Sequence, residues 1–301
     1  MRHGDSDLQK VDGFMTQMSD EPFDKRTTPF KDGVTDQAHE GLIRAKTYVA
    51  GEVLSCYDAS APILSQPEHG AEQWDQLLMG ERFKVIERKH DYFWGQALRD
   101  GYVGYVPVSA FKRDWYLPTH YVSTLRTYVF AGPNLKSSTL TALSHNALVS
   151  VTRYENGFAY INEMGWVFAN HLSTFETFAP DFVSVAESYI NAPYQWGGRE
   201  SLGLDCSGLL QQALYASGYG CPRDSDMQMK LGLALDIGPD LRGLVRGDLV
   251  FWKGHVAIMT DDVHIIHANA HHMKVAIEPL ADAVNRIDAC GSGMPLAFRR
   301  L

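Results

Sequence analysis

Cysteine is scarce in this sequence of 301 residues, and what there is follows no paired spacing: Cys56, Cys206, Cys221 and Cys290 stand far apart with no C-x-x-C pair. That excludes a small disulfide-stapled scaffold, and the four are expected to be free thiols. Long apolar runs are missing as well. No stretch approaches the 18 residues of a membrane span, and residues 1–40 lack the apolar core of a secretory signal, so the expected location is the cytoplasm, with no membrane partner. Nor is there an excess of positive charge: 27 Lys and Arg against 36 Asp and Glu leave a formal charge of −9. Such a field offers no footprint for phosphate backbones, so nucleic acid is not an expected partner. Finally, no G-x-S-x-G elbow surrounds Ser207, because Asp205 stands in the place of its first glycine, which disfavours a serine hydrolase.

What is present is the composition of an ordinary folded protein, 45% hydrophobic and 21% charged, with length for two or three domains. Residues 1–46 are rich in Asp, Lys, Thr and Gly with isolated Phe14, Phe23 and Phe30, and read either as an arm laid on a neighbouring domain or as a mobile tail. Residues 47–117 turn to short alternating segments such as Arg82-Phe83-Lys84-Val85-Ile86-Glu87 and turn signals such as Asp100-Gly101. An internal repeat follows: Gly104-Tyr105-Val106 to Phe111 returns 61 residues later as Gly165-Trp166-Val167 to Leu172. Two tandem small β-barrels, 47–117 and 118–177, are the expected reading, and they resemble bacterial SH3-like domains.

From residue 178 the periodicity becomes helical. Asp181 is a candidate N-cap for a helix ended by Pro193, a second helix over Leu209–Leu214 closes at Gly218, and Ser225 with Gln228 has capping-box spacing for a third. Strand candidates then run at 248–252, 255–260, 263–269, 274–280 and 295–299. Helices followed by antiparallel strands predict an α+β domain over 178–301.

Chemistry concentrates in this last part. Asp205-Cys206-Ser207-Gly208 places a thiol in the first turn of the second helix, where unpaired N–H groups favour a thiolate. A thiolate wants a base, and His255 opens an apolar strand, with His267 twelve residues on, far enough for an adjacent antiparallel strand. The His264, His267, His271 and His272 cluster also invites a metal, but His264 and His267 point to opposite faces of a strand, which disfavours it. No cofactor is expected.

Six segments in order, Pro193-Tyr194-Gln195-Trp196-Gly197-Gly198, Asp205-Cys206-Ser207-Gly208-Leu209, Pro222-Arg223-Asp224-Ser225, Gly247-Asp248-Leu249-Val250-Phe251, His255-Val256-Ala257-Ile258 and Ile266-His267-Ala268, resemble the papain-like NlpC-type peptidoglycan cysteine peptidases. The layout is similar to a subgroup with two N-terminal SH3-like domains that recycles murein peptides. The resemblance implies a papain-like catalytic domain that cleaves the γ-D-glutamyl-L-diamino acid bond of small peptides with a free N-terminal L-alanine. It implies Cys206 as nucleophile, His255 as base, His267 as the orienting residue and Tyr194 as oxyanion support beside the Cys206 N–H, unless Tyr194 simply packs. Substrate contacts are implied at Asp205, which is also a candidate N-cap, and at Ser207, Arg223, Asp224 and Ser225, the last equally a helix cap. Trp196 is a cleft wall or core, and Glu81 and Tyr102 of the first barrel either close round the amine or pack the barrel. The expected state is a monomer with small murein peptides as its partners. Two alternatives stay open, an exported hydrolase of intact wall and a non-catalytic wall-binding protein.

Overall fold

The computed structural model describes residues 23–112 and 117–301. The first of these belong to the N-terminal segment, which lies on its neighbour: Phe30–Lys31 pairs with Val34–Asp36, itself parallel to Thr47–Val49. Backbone bonds tie it down, with the Val103 N–H donating to the Arg26 carbonyl and Gln96 Nε2 to that of Thr27, both at 2.7 Å. Residues 23–46 are therefore a laid-on arm, while Phe14 and the rest of 1–22 lie outside the described residues.

The first module is a seven-stranded antiparallel sheet in the order Phe111–Lys112, Glu52–Cys56, Arg82–Lys89, Tyr92–Ala97, Val103–Pro107, Ser60–Leu64, Gln73–Leu78. Alternation drives it, since Ile63, Leu77, Phe83 and Val106 all turn inward to one core. The second module has a three-stranded and a five-stranded sheet around Val122, Val129, Leu143, Ile161 and Val167, with Met79 of the first module inserted into this core. The repeat is structural: each copy ends in a 3-10 turn, Val108–Ala110 and Ala169–His171, at the offset of 61. These are SH3-like folds, but strand pairing runs in open order rather than round a closed ring. Register shifts at Val85/Glu87, Ile63/Leu64 and Val129/Phe130 mark bulges that bend these strands.

The last module is α+β and papain-like. Helices α1 (Phe182–Glu187), α2 (Cys206–Ala216) and α3 (Ser225–Gln228) precede most of a six-stranded antiparallel sheet, and α4 (Leu280–Ala289) follows its edge strand. The strands Leu249–Trp252, His255–Met259, His264–Asn269 and Lys274–Pro279 stand within about a residue of their expected positions. They are buried on both faces: Leu249, Phe251, Val256 and Ile258 meet α1 and α2, while Val250, Trp252, Ala257 and Met259 meet Leu280, Ala283 and Val284 of α4. Asp181 caps α1 by accepting from the Val183 N–H, and Gly218, at φ +83°, closes α2. Two expectations shift. The first helix stops at Glu187, and the cap of α3 is Asp224 rather than Ser225.

Candidate active site

Three elements converge on one thiol. Asp205, in extended geometry, caps α2 through Oδ1, which accepts from the Gly208 N–H at 2.8 Å, so Cys206 becomes the first residue of the helix. Its Oδ2 accepts from the Gly197 N–H at 2.9 Å, fastening the Tyr194–Gly198 loop beside the thiol. Gly208 has to be glycine, because a Cβ there would lie 2.3 Å from the Gly198 carbonyl oxygen. The Val256 N–H points at the Cys206 sulfur, which brings the thiol to the start of the His255–Met259 strand. Burial and the neighbouring Asp205 carboxylate push the thiol up to about 12, against the pull of the Val256 N–H and the Arg223 charge. Burial, then the nearby His267, brings His255 down to about 3. Both shifts favour the uncharged forms, a thiol and a neutral imidazole, over the thiolate that the helix position alone suggests.

His255 and His267 lie on the sheet face that meets α4, each an odd number of residues from the paired Ile258 and Ile266. His255 Nε2 is 2.8 Å from His267 Nδ1, and His267 Nε2 is 2.7 Å from Glu278 Oε1. Arg286 of α4 grips both oxygens of Glu278, at 2.5 and 2.6 Å. Despite its partial burial, the bonds from His267 and Arg286 hold Glu278 well below the usual carboxylate range. An ionised carboxylate only accepts, and this fixes every tautomer in the row. His267 carries its proton on Nε2 and accepts at Nδ1, so His255 donates from Nε2 and keeps the Nδ1 lone pair as its base. Glu278→Gln would put an amide donor opposite His267 and unsettle that order. We expect kcat to fall about 100-fold with KM little changed, while Glu278→Asp keeps part of the rate; steady-state kinetics checks this.

Glu278 and Arg286 escape sequence reading, because a strand-end glutamate and a helical arginine look like solvated charges until the fold brings them together. His264 instead faces Asp261, away from the row, as the odd spacing predicts.

A cavity of about 320 Å³ opens beside the thiol, walled by Cys206, Tyr102, Trp196 and Asp224. Trp196 is 58% exposed with its Nε1 donating to Glu72 Oε1 at 3.0 Å, so it is cleft wall rather than core. Asp224 occupies a helix N-cap position yet makes no capping bond; its carboxylate turns to the cavity, accepting from the Tyr102 hydroxyl at 3.1 Å and from Arg26 at 2.9 Å. Arg26 also bridges to Asp226, so the N-terminal arm furnishes part of this wall. Ser225 lines the cavity as well, and Tyr194, half-buried with its phenol pushed up by burial and the nearby sulfur, stands on the other side of the reacting pair.

Three expected contacts need correction. Glu81 is 1% exposed, accepting from the Leu78 N–H and paired with Arg99 and Arg199, so it braces the module junction and does not reach the cavity. The first-module acid that lines the cavity is Glu72. Arg223 is equally buried, its guanidinium consumed by Asp205 and by Ser207 Oγ, with Asp75 at ion-pair distance. It supports the Cys206 helix from behind and does not line the cavity. Ser207, spent between Asp205 and Arg223, borders the cavity with its hydroxyl already paired.

Comparison with known proteins finds matches for both the first module and the last. Residues 191–288 match the NlpC/P60 family, and residues 63–111 match the bacterial dipeptidyl-peptidase SH3 domain. A dipeptidyl-peptidase 6 of Lysinibacillus sphaericus is 26% identical over 243 residues, 73% of this chain and 89% of that protein. A γ-D-glutamyl-L-lysine dipeptidyl-peptidase of Bacillus cereus is 26% identical over 238 residues, 68% of this chain and 70% of the other. In fold, the chain is similar to a crystal structure of an NlpC/P60 family protein from Bacillus cereus, with a TM-score of 0.68 and 19% identity over 83% of this chain and 99% of that one. The thiol and its imidazole row thus sit in an NlpC/P60 peptidase domain that follows a bacterial SH3 domain.

Proposed function

We propose that this chain is a cysteine endopeptidase that hydrolyses the γ-D-glutamyl bond to an L-diamino acid in small murein peptides with a free N-terminal L-alanine. The bond class is that in the name of the Bacillus cereus relative. The observation that carries the free-amine requirement is Asp224, a helix-cap carboxylate diverted into the thiol cavity, with Glu72 on the same wall. An ammonium held there, in the same cavity as the thiol, matches a dipeptidyl unit ending at the scissile carbonyl. Arg26, the one cation lining this cavity among the described residues, is shared among Asp24, Asp224 and Asp226 and holds this acidic wall together.

The sulfur of Cys206 attacks the γ-carbonyl carbon while its proton passes to His255 Nδ1. The Tyr194 hydroxyl and the Cys206 N–H receive the negative oxygen of the tetrahedral intermediate. His255 returns the proton to the leaving α-amine of the diamino acid, which departs and leaves a thioester. Water, deprotonated by His255, then attacks the thioester, freeing L-Ala-D-Glu and the thiol.

Blocking the amine tests the reading. With L-Ala-γ-D-Glu-diamino acid peptides, acetylation of the alanine should lower kcat/KM about 100-fold or more, because the Asp224 and Glu72 side of the cavity would lose its cation. Failure to cut the free peptide sinks the proposal, and equal rates on both forms point instead to intact wall as substrate. Small released peptides suit recycling in the cytoplasm, where fractionation should find the protein.

A further inference from the structure

A second cavity, of about 460 Å³, lies on the other side of the reacting pair. It begins at Gly254, which it shares with the thiol cavity, and runs past His255 to Arg286 and Cys290. The two differ sharply in charge. Among the described residues, the thiol cavity is lined by Glu72, Asp205, Asp224 and Asp226 against one arginine, whereas the second is lined by Lys253, Arg286 and His271 with no carboxylate in its wall. Arg286 is neutralised by its two bonds to Glu278 behind the wall. Lys253 is exposed at the turn before His255, and no acidic group stands within ion-pair distance of it among the described residues. It is the uncompensated charge of this cavity.

In the reaction proposed above, on which this inference rests, the acyl half of the peptide fills the thiol cavity and the departing diamino acid lies across Gly254 in the second. Two chemistries compete for that place. A lysine side chain ends in a lone ammonium, which finds there a like charge and no acid. A diaminopimelate side chain ends in an ammonium together with a carboxylate, and the carboxylate can pair with Lys253. At separations below the Debye length the first arrangement is repulsive and the second attractive.

We propose that the leaving-group cavity selects a diamino acid carrying a distal carboxylate, of the diaminopimelate type, over lysine, and that Lys253 is the residue that sets the preference. Lys253 acts through charge on the distal end of the substrate, well away from the bond that breaks. Its influence therefore belongs in the relative kcat/KM of two substrates and should weaken with salt.

The test uses the full chain and three peptides: L-Ala-γ-D-Glu-meso-diaminopimelate, the same peptide with the distal carboxylate amidated, and L-Ala-γ-D-Glu-L-Lys. The expected result is a preference of about tenfold in kcat/KM for the free diaminopimelate peptide, with the amidated one behaving like lysine. Lys253→Ala should flatten the preference and Lys253→Glu should invert it, raising the rate on the lysine peptide. Both changes should shrink between 50 and 500 mM salt, on the order of what screening of exposed charges requires. Equal cleavage of all three peptides by the unaltered protein, or a preference that survives Lys253→Glu, overturns the proposal while leaving the peptidase reading standing. Cleavage of none of them overturns both.

Discussion

Cys206→Ala is expected to abolish hydrolysis of L-Ala-γ-D-Glu-diamino acid peptides, with a loss in kcat of at least about 10⁴-fold, while the thermal midpoint stays within a few degrees. The large effect follows because Cys206 carries the sulfur that takes up the acyl group, and the adjacent Ser207 hydroxyl is tied between Asp205 and Arg223. The small effect on folding follows because α2 is held by Leu209, Leu210, Ala213 and Leu214, and by the Asp205 cap, none of which the sulfur supports. Cys206→Ser should be nearly as inactive, since a hydroxyl is a far weaker nucleophile beside a neutral imidazole. Activity within tenfold of the unaltered protein in either variant would remove Cys206 from the role. Thiol alkylation offers an independent check, best done in a Cys290→Ala background. Cys290 is exposed and lines the second cavity, so it would react alongside, whereas Cys56 and Cys221 are buried and line neither of the two cavities.

How much of this was legible before the fold follows from where each signal resides. The Asp205 cap, the Gly218 stop and the strand from His255 are local, written in spacing and capping chemistry within a few residues, and the structure carries them as expected. The His255 and His267 pair was accessible from a twelve-residue spacing that allows a turn and an adjacent antiparallel strand. The helix after Pro279 was not anticipated, because Leu280, Ala283 and Val284 form a short apolar stripe amid charges at the end of a strand. Burial of charge was hardest to foresee. Arg223 adjoins the cavity-facing Asp224 in sequence yet points the other way, and Glu81 lies nine residues from Glu72 yet sinks into the module junction. Nothing within a few residues separates an arginine that meets solvent from one whose partners lie more than a hundred residues away. Only packing decides that.

Arg223 carries the second large expectation, this time on stability. Its side chain, 1% exposed, links the first module to the Cys206 helix: Nη1 and Nη2 hold both oxygens of Asp205 at 3.0 and 2.6 Å, while Nε faces Asp75 of the Gln73–Leu78 strand at 2.7 Å. Arg199 stands on the other side of Asp75 at 3.1 Å and continues the row to Glu81. Burial and Asp100 push the Asp75 carboxyl well above its ordinary range, outweighing the opposite pull of Arg199 and Arg223. Arg223→Met fills much the same volume but leaves Asp205 without its cation, which for a buried pair costs about 3–5 kcal/mol. The thermal midpoint should fall by several degrees, and activity should fall with it, because a loosened Asp205 no longer fixes both the helix start and the Gly197 N–H. Arg223→Lys should recover little, since one ammonium cannot span Asp205, Ser207 and Asp75 together. Adding Asp75→Asn to Arg223→Met should cost less than the sum of the two single changes, as expected when both remove one shared interaction. Calorimetry on the four proteins of that cycle decides the point: strict additivity would mean that Arg223 and Asp75 act independently, and the SH3-like module would then contribute nothing through this pair to holding the Cys206 helix in place.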